Sequence, residues 1–252
     1  MKKTLLASVL PALFVGGVAV AQDDEPQTYT YATYMYCDTD GQERADEIVA
    51  EYDKPVLDKL VEDGEISGWG WLAHHTGGKW RRIRYHQSDS LEGALDGLDA
   101  MNMAMEKAMD DDVAEEFADI CDAHDDYIWQ NVAGTGGDER GTAGFSVYHM
   151  CDINRESRAD EIVTETFGPV YDKLVEDGKL TSWGWSTHVV GGKIRKLQTM
   201  TGSDHKAVLA ARAEAIAMTY DDGNNAAGTE FSEICGSHVD YMWNIVHEKT
   251  SQ

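Results

Sequence analysis

Basic residues are scarce in this sequence: 21 Lys and Arg stand against 46 Asp and Glu, a formal net charge of -25 at pH 7. A chain this acidic repels phosphate backbones and anionic lipid. We therefore expect neither nucleic acid nor a membrane surface among its partners. The excess of acid is typical of a solvated surface and needs no bound cation.

Long apolar runs are also scarce, and the only one, Leu5 to Val20, lies at the amino terminus. Lys2 and Lys3 precede this run, and Ala21 ends it before a polar stretch, which is the pattern of a cleaved secretory signal. The run is short for a membrane span, which needs about 20 residues. We expect residues 1–21 to be removed after Ala21, leaving a soluble chain exported to the periplasm or the exterior.

The sequence also lacks the motifs of common catalytic centres. It has no nucleophile elbow, no phosphate-binding glycine loop, no His-Glu-x-x-His helix and no Cys-x-x-Cys-His haem attachment motif. A cofactor-independent enzyme would need only a His, Tyr or Trp beside its bound substrate, and that leaves no reliable motif in a sequence.

An internal duplication is the dominant feature that is present. Residues 37–132 match residues 151–246 without a gap, so that Trp69-Gly-Trp71 recurs as Trp183-Gly-Trp185. A repeat of this length predicts a duplicated domain and not a solenoid. We expect a first repeat at 22–132, a flexible glycine-rich linker at 133–144 and a second repeat at 145–252.

The four cysteines fall into two pairs with the same spacing inside each repeat. Export favours disulfides, and four cysteines allow three connectivities. A unit that once stood alone would close its own pair. We therefore predict bonds between Cys37 and Cys121 and between Cys151 and Cys235.

Each repeat has the pattern strand, helix, strand, strand, helix, strand. In the first repeat, Pro55 should kink or split the first helix, and a second helix should continue to about His124. A last strand at residues 126–132 is predicted, although a continued helix would satisfy that pattern almost as well. In order along the first repeat, the predicted elements before this last strand are a strand at 29–36, a helix at 42–63, a hairpin at 68–86 and a helix that begins at 89.

This order, with the Pro-Val-x-Asp-Lys-Leu-Val-Glu-Asp-Gly segment leading into an aromatic strand, resembles the ferredoxin-like unit of the dimeric α/β-barrel superfamily. The resemblance implies an α+β fold of two βαββαβ domains, with antiparallel sheets packed as an intramolecular pseudo-dimer. It also implies a ligand pocket between the sheets, but no particular reaction.

The candidate ligand-binding residues come from the predicted hairpins. A turn at Gly77-Gly78 pairs His74 with Arg81, and the second repeat places His188 beside Arg195. These side chains could bind a carboxylate, a phosphate or an oxygen-rich aromatic molecule. Alternatively, these basic side chains keep an exposed strand from pairing with other chains and form ion pairs with acidic helices. The full candidate set is His74, Arg81, His188, Arg195, Tyr34, Tyr148, Trp71 and Trp185.

Metal and cofactor sites are weakly indicated. Cys121-x-x-His124 could be part of a zinc site, but oxidised cysteines leave too few ligands. The methionines at 101, 103 and 105 are better explained as core residues than as copper ligands, because the second repeat lacks them. Barrels that resemble chlorite dismutase carry haem on a histidine, but the sequence predicts neither a metal nor a cofactor.

Three functions remain open at this point. The first is an exported protein that binds a small, anionic or aromatic molecule between its two sheets. The second is a small-molecule oxygenase, either cofactor-independent or haem-dependent, with His74 or His188 as base or axial ligand. The third is a protein-interaction module without a ligand. The chain could act as a monomer or as a higher assembly of pseudo-dimers.

Overall fold

The computed structural model of the protein describes residues 27–137, 140–220 and 225–251. The predicted signal peptide lies outside the described residues. The first copy consists of β1 (Tyr29–Tyr36), α1 (Gln42–Ile48), α2 (Lys54–Glu62), β2 (Gly68–Gly77), β3 (Arg82–Ser88), α3 (Leu91–Ala108), α4 (Asp111–Ile120) and β4 (Ala123–Gly136). The second copy consists of β5 (Ala143–Met150), α5 (Glu156–Ile162), α6 (Gly168–Glu176), β6 (Ser182–Val190), β7 (Lys196–Gly202), α7 (His205–Tyr220), α8 (Asn225–Ile234) and β8 (Ser237–Thr250).

The eight strands form one closed antiparallel barrel. Each copy contributes a four-stranded sheet, in the order β4-β1-β3-β2 and β8-β5-β7-β6. Pairing of β2 with β8 and of β4 with β6 joins these sheets at both edges. The predicted α+β, ferredoxin-like fold is confirmed, and the two halves share a continuous hydrogen-bonded wall. Closure removes strand edges that would otherwise pair with other chains.

The last strand of each copy is long because it serves both sheets. β4 and β8 have 14 residues each, whereas β1 and β5 have 8. The strand interpretation of residues 126–132 is confirmed, and β4 continues into the segment that the sequence predicts as a linker. The helix predicted to reach His124 ends earlier, at Ile120, and the residue after it, Cys121, is bonded to Cys37 directly after β1.

The first helix of each copy is widened immediately before its proline. A π-helical turn spans Val49–Asp53 between α1 and α2, and another spans Val163–Phe167 between α5 and α6. Pro55 has no backbone N–H to donate, so the helical ladder must be interrupted near this point. The predicted disturbance at the proline therefore takes the form of a π turn and not of a broken helix.

The hairpin register agrees with the prediction from the Gly-Gly turn. Leu72 lies opposite Ile83 on β2 and β3, and the backbone N–H of His74 donates to the carbonyl of Arg81 at 2.9 Å. Gly77 adopts a φ of 120°, a region that favours glycine. The register predicted from the turn residues thus gives which side chains share a face of the sheet.

Two disulfides tie the end of each copy's first strand to the end of its last helix. Cys37 is bonded to Cys121 and Cys151 to Cys235, as the spacing predicts. Within the described ranges, no helix combines the length and the apolar character that a membrane crossing requires.

Side chains of the barrel strands alternate between two environments. The outer face of each sheet packs against its own helices, where Trp69 and Trp183 are buried. The inner faces enclose a lumen filled largely by aromatic rings, among them Tyr34 and Tyr148. This alternation creates two places where a cavity can form: inside the barrel, and between a sheet and its helices.

Candidate functional site

Tyr34 and Tyr148 meet in the lumen, as equivalent residues of the two copies. Their ring centroids are 5.6 Å apart in an edge-to-face arrangement. Both side chains are buried, and burial raises the pKa of each hydroxyl. The structure therefore brings together the two predicted tyrosines as uncharged groups.

The predicted His-Arg pairs lie at the hairpin ends and line neither of the two cavities described below. The guanidinium of Arg81 donates to the carbonyl oxygen of Gly78 at 3.3 Å. Arg195 bonds the carboxylate of Glu156 and, at 2.8 Å, Nδ1 of His188. These contacts give the arginines structural partners within the chain, and their role in ligand binding stays a prediction.

Trp71 and Trp185 lie on the outer faces of the sheets, away from the lumen. Their indole N–H groups donate to Asp46 and Asp160, each at 2.7 Å. The same two carboxylates accept bonds from the cations of β3 and β7, Arg82 and Lys196. The two tryptophans therefore fasten a helix to its sheet, and Trp185 also borders a cavity.

The helix-side cavity lies between the second sheet and its helices and has a volume of about 390 Å³. This size is in the range of small-molecule sites. Its strand residues are Val147, His149, Trp185 and Gln198, and its helix residues are Val163, Phe167, Tyr171, Arg212, Ile216, Thr219, Tyr220, Phe231 and Ser232, with Cys235 and His238 at one edge.

His149 is the principal polar group of this cavity. It is 6% exposed, and neither ring nitrogen has a hydrogen-bond partner among the described residues. The rings of Trp185 and Phe231 have their centroids 5.5 Å from its own, and that of His238 lies at 5.7 Å. Burial, followed by the charges of His238 and Arg212, lowers the pKa of His149 to about 3. The imidazole is therefore neutral at physiological pH.

The first copy fills the equivalent space. Met35 occupies the position of His149, and Met101 and Met105 occupy the positions of Ala215 and Thr219. Met35 and Met101 are both buried. At positions that line the cavity in the second copy, the first copy thus has flexible apolar side chains. Such side chains fill irregular gaps well.

A buried ion pair completes the filling of the first copy. Asp53 and Arg84 stand where the second copy has Phe167 and Gln198. The guanidinium of Arg84 lies 3.2 Å from the carboxylate of Asp53, which is 2% exposed. The two copies have therefore diverged at the same interface, one toward packing and one toward an open space.

The lumen cavity occupies one half of the barrel interior, with a volume of about 360 Å³. Its deep end includes Tyr34, Trp129, Tyr148 and Trp243, and exposed residues such as Thr135 border its mouth. Near the mouth, Tyr85 and Arg140 both bond the carboxylate of Glu248.

Comparisons with known proteins support the fold. No protein-family profile matches the sequence, and no curated protein matches it. Among solved structures, a candidate monooxygenase from Lactobacillus acidophilus superposes with a TM-score of 0.61 and 7% identity, covering 90% of this chain and 97% of its own. An anthrone oxidase-like protein gives 0.56 and 14% identity, with 90% and 94% covered.

A chlorite dismutase from Candidatus Nitrospira defluvii, solved in complex with cyanide, gives a TM-score of 0.53 at 8% identity and covers 87% of this chain and 91% of its own. The three superpositions, with TM-scores above 0.5 over most of each chain, show a shared dimeric α/β-barrel fold.

The prediction of no cofactor is corrected by the chlorite dismutase neighbour, since barrels of that type carry haem on a histidine. His149 fits this chemistry, because an axial ligand needs one neutral imidazole nitrogen with a free lone pair. The cavity beside it is bordered mainly by apolar and aromatic side chains. A neutral nitrogen donor and an apolar border are thus the two features of this cavity that would suit haem.

Sequence reasoning missed His149 and Arg212, which no motif marks. The signal that could have found them is the difference between the copies: His149 and Arg212 stand where the first copy has Met35 and Leu98. A polar residue that replaces an apolar one at a core position of a duplicated fold indicates a gain of function or a compensating partner.

Proposed function

We propose that the chain is an exported, oxygenase-type enzyme for a small molecule, with its active site in the helix-side cavity. One observation carries the proposal: His149 is buried there with both ring nitrogens unpaired among the described residues. The barrel neighbours support an oxygenase-type reaction. The two disulfides and the amino-terminal signal pattern support export.

The pKa of His149 decides between two roles for this side chain. A general base works best when its pKa lies near the operating pH, and burial lowers the pKa of His149 to about 3. Such a weak base abstracts protons poorly at neutral pH. A permanently neutral imidazole instead suits a metal, because no proton competes for the nitrogen lone pair. His149 is therefore the residue that would hold haem iron, through a neutral ring nitrogen.

When bound, haem would supply the activation of a small oxidant. The residues around it would bind and orient the substrate. The guanidinium of Arg212 lies 4.9 Å from the ring centroid of Phe145 and 3.9 Å from the carboxylate of Asp240. This contact to Asp240 is too long for a strong bond, so Arg212 can attract an anionic substrate group. Phe167 and Phe231 would keep water from the reacting atoms.

A titration of the purified protein with hemin, followed by absorbance, tests the assignment. We expect one equivalent to bind with the spectrum of histidine ligation. His149→Leu keeps a similar volume but has no donor atom, and should weaken binding about 100-fold or more, since even outer-shell losses cost 10- to 100-fold. The affinity of the unmodified protein should stay level from pH 8 to pH 5, because a pKa of about 3 leaves His149 neutral throughout this range.

His74→Leu is the matched control, since His74 does not border the helix-side cavity. Its hemin affinity and spectrum should equal those of the unmodified protein. Failure of the unmodified protein to bind hemin, or loss of binding in His74→Leu with retention in His149→Leu, would contradict the assignment.

A further inference from the structure

The lumen cavity lies on the opposite side of the sheet from His149. Tyr148 and His149 are neighbours on β5 and face opposite sides, so one borders the lumen cavity and the other the helix-side cavity. The two cavities therefore share a wall but no binding groups at this point. Any ligand of the lumen is independent of the proposed haem site.

An unpaired donor in the deep end of the lumen cavity points to a ligand. Trp243 is fully buried, and its indole N–H has no acceptor within reach in the described part of the chain. Its counterpart in the first copy, Trp129, donates to the hydroxyl of Tyr34 at 3.0 Å. The pseudo-symmetry of the barrel would give Trp243 the hydroxyl of Tyr148, but this bond is not made among the described residues.

We propose that the lumen cavity is a second ligand site, for a flat, uncharged aromatic molecule whose carbonyl oxygen accepts the indole N–H of Trp243. A buried donor without an acceptor destabilises the protein. A ligand oxygen would remove that penalty, whereas an apolar ligand of the same shape would not. The site therefore favours a ligand that carries a hydrogen-bond acceptor over an apolar ligand of the same size.

The charges around the cavity favour a neutral ligand. Burial raises the pKa of both Tyr34 and Tyr148, so their hydroxyls stay uncharged. Arg140 and Glu248, near the mouth, neutralise each other through bonds of 2.6 and 2.8 Å. An ionic ligand would lose its hydration at the deep end without gaining an opposite charge.

The aromatic walls favour a flat ring. The rings of Tyr34 and Tyr148 stand edge to face, with centroids 5.6 Å apart. Aromatic rings pack best against further rings in offset or edge-to-face arrangements. A volume of about 360 Å³ accommodates a substituted single ring.

Two probes of nearly the same shape test the proposal. Acetophenone carries the carbonyl oxygen, and α-methylstyrene replaces that oxygen with a methylene group. The unmodified protein should bind acetophenone about threefold to tenfold more tightly in calorimetry, as expected of one neutral hydrogen bond. In a ¹H–¹⁵N spectrum, the indole signal of Trp243 should move with acetophenone and not with α-methylstyrene.

Trp243→Phe and Trp129→Phe form a matched pair of variants, because the indole of Trp129 already has a partner. The preference for acetophenone should vanish in Trp243→Phe and persist in Trp129→Phe. Equal affinity for both probes in the unmodified protein, or a preference that survives in Trp243→Phe, would overturn the proposal. If Trp243→Phe does not fold, an unmoved indole signal of Trp243 in the unmodified protein overturns it equally.

His149→Leu separates this site from the proposed function. It should keep the acetophenone preference and lose hemin binding. Loss of hemin binding with an unchanged lumen response means that the two sites are independent. If the preference for acetophenone over α-methylstyrene disappears in His149→Leu, the probe binds in the helix-side cavity. That result would overturn the assignment to Trp243.

Discussion

Replacement of His149 by methionine should make the protein more resistant to acid. The variant places at this position the residue that the first copy carries at Met35, which packs in the equivalent sheet-to-helix interface of that copy. Methionine does not titrate. The difference in pH dependence between the two proteins therefore isolates the imidazole of His149.

The magnitude follows from the two pKa values of this histidine. In the unfolded chain the pKa is 6.5, and in the folded protein burial lowers it to about 3. Between these values the unfolded chain binds a proton that the folded protein does not. The free energy of unfolding therefore falls as the pH falls, by about 1.4 kcal/mol for each pH unit. Acidification from pH 7.5 to pH 4.5 should cost about 3 kcal/mol through His149 alone.

Urea denaturation of both proteins at pH 7.5 and pH 4.5, without haem, measures this effect. All other titrating groups are common to the two proteins, so their contributions cancel in the comparison. Equal slopes of stability against urea concentration would show that the unfolded states are comparable. The reasoning is refuted if the two proteins lose the same stability on acidification, since His149 would then be protonated or hydrogen-bonded in the folded protein.

Two further predictions concern the duplication. Arg84→Gln should lower the free energy of unfolding by about 3 kcal/mol, because it leaves the buried carboxylate of Asp53 without its cation. Adding Asp53→Phe, which copies the pair Phe167 and Gln198 of the second copy, should recover much of that loss; no recovery in thermal unfolding would contradict this account. Residues 27–137 expressed alone should dimerise through the edges of β2 and β4, and a monomer that persists in sedimentation at high dilution would argue against it.

The copies share their local structure because local signals set it. Pro55 disturbs its helix whatever lies around it, since the missing N–H is a property of the residue. The turn at Gly77 likewise fixes the register of its hairpin, and with it the face on which Leu72 lies. These features could be predicted from sequence because they depend on residues only a few positions apart.

The candidate site could not be predicted in the same way. Tyr34 and Tyr148 meet because the two sheets close on each other. They are 114 positions apart, and nothing in the sequence around either residue indicates this contact. The predicted arginines are engaged by nearby groups such as Glu156, which sequence order does not place beside Arg195. Cavities arise where side chains from several elements fail to fill a space, and that depends on packing.

The sequence by itself determined the duplication, the two disulfides, the order of strands and helices and the hairpin register. Each of these follows from repeated spacing, turn chemistry or hydrophobic period, which are properties of short segments. Only the tertiary structure decided that β2 pairs with β8 and β4 with β6. It also decided that Met35 is packed in the core of the first copy, whereas His149, at the equivalent position of the second copy, borders a cavity. Free volume and unpaired donors depend on how all the elements pack together.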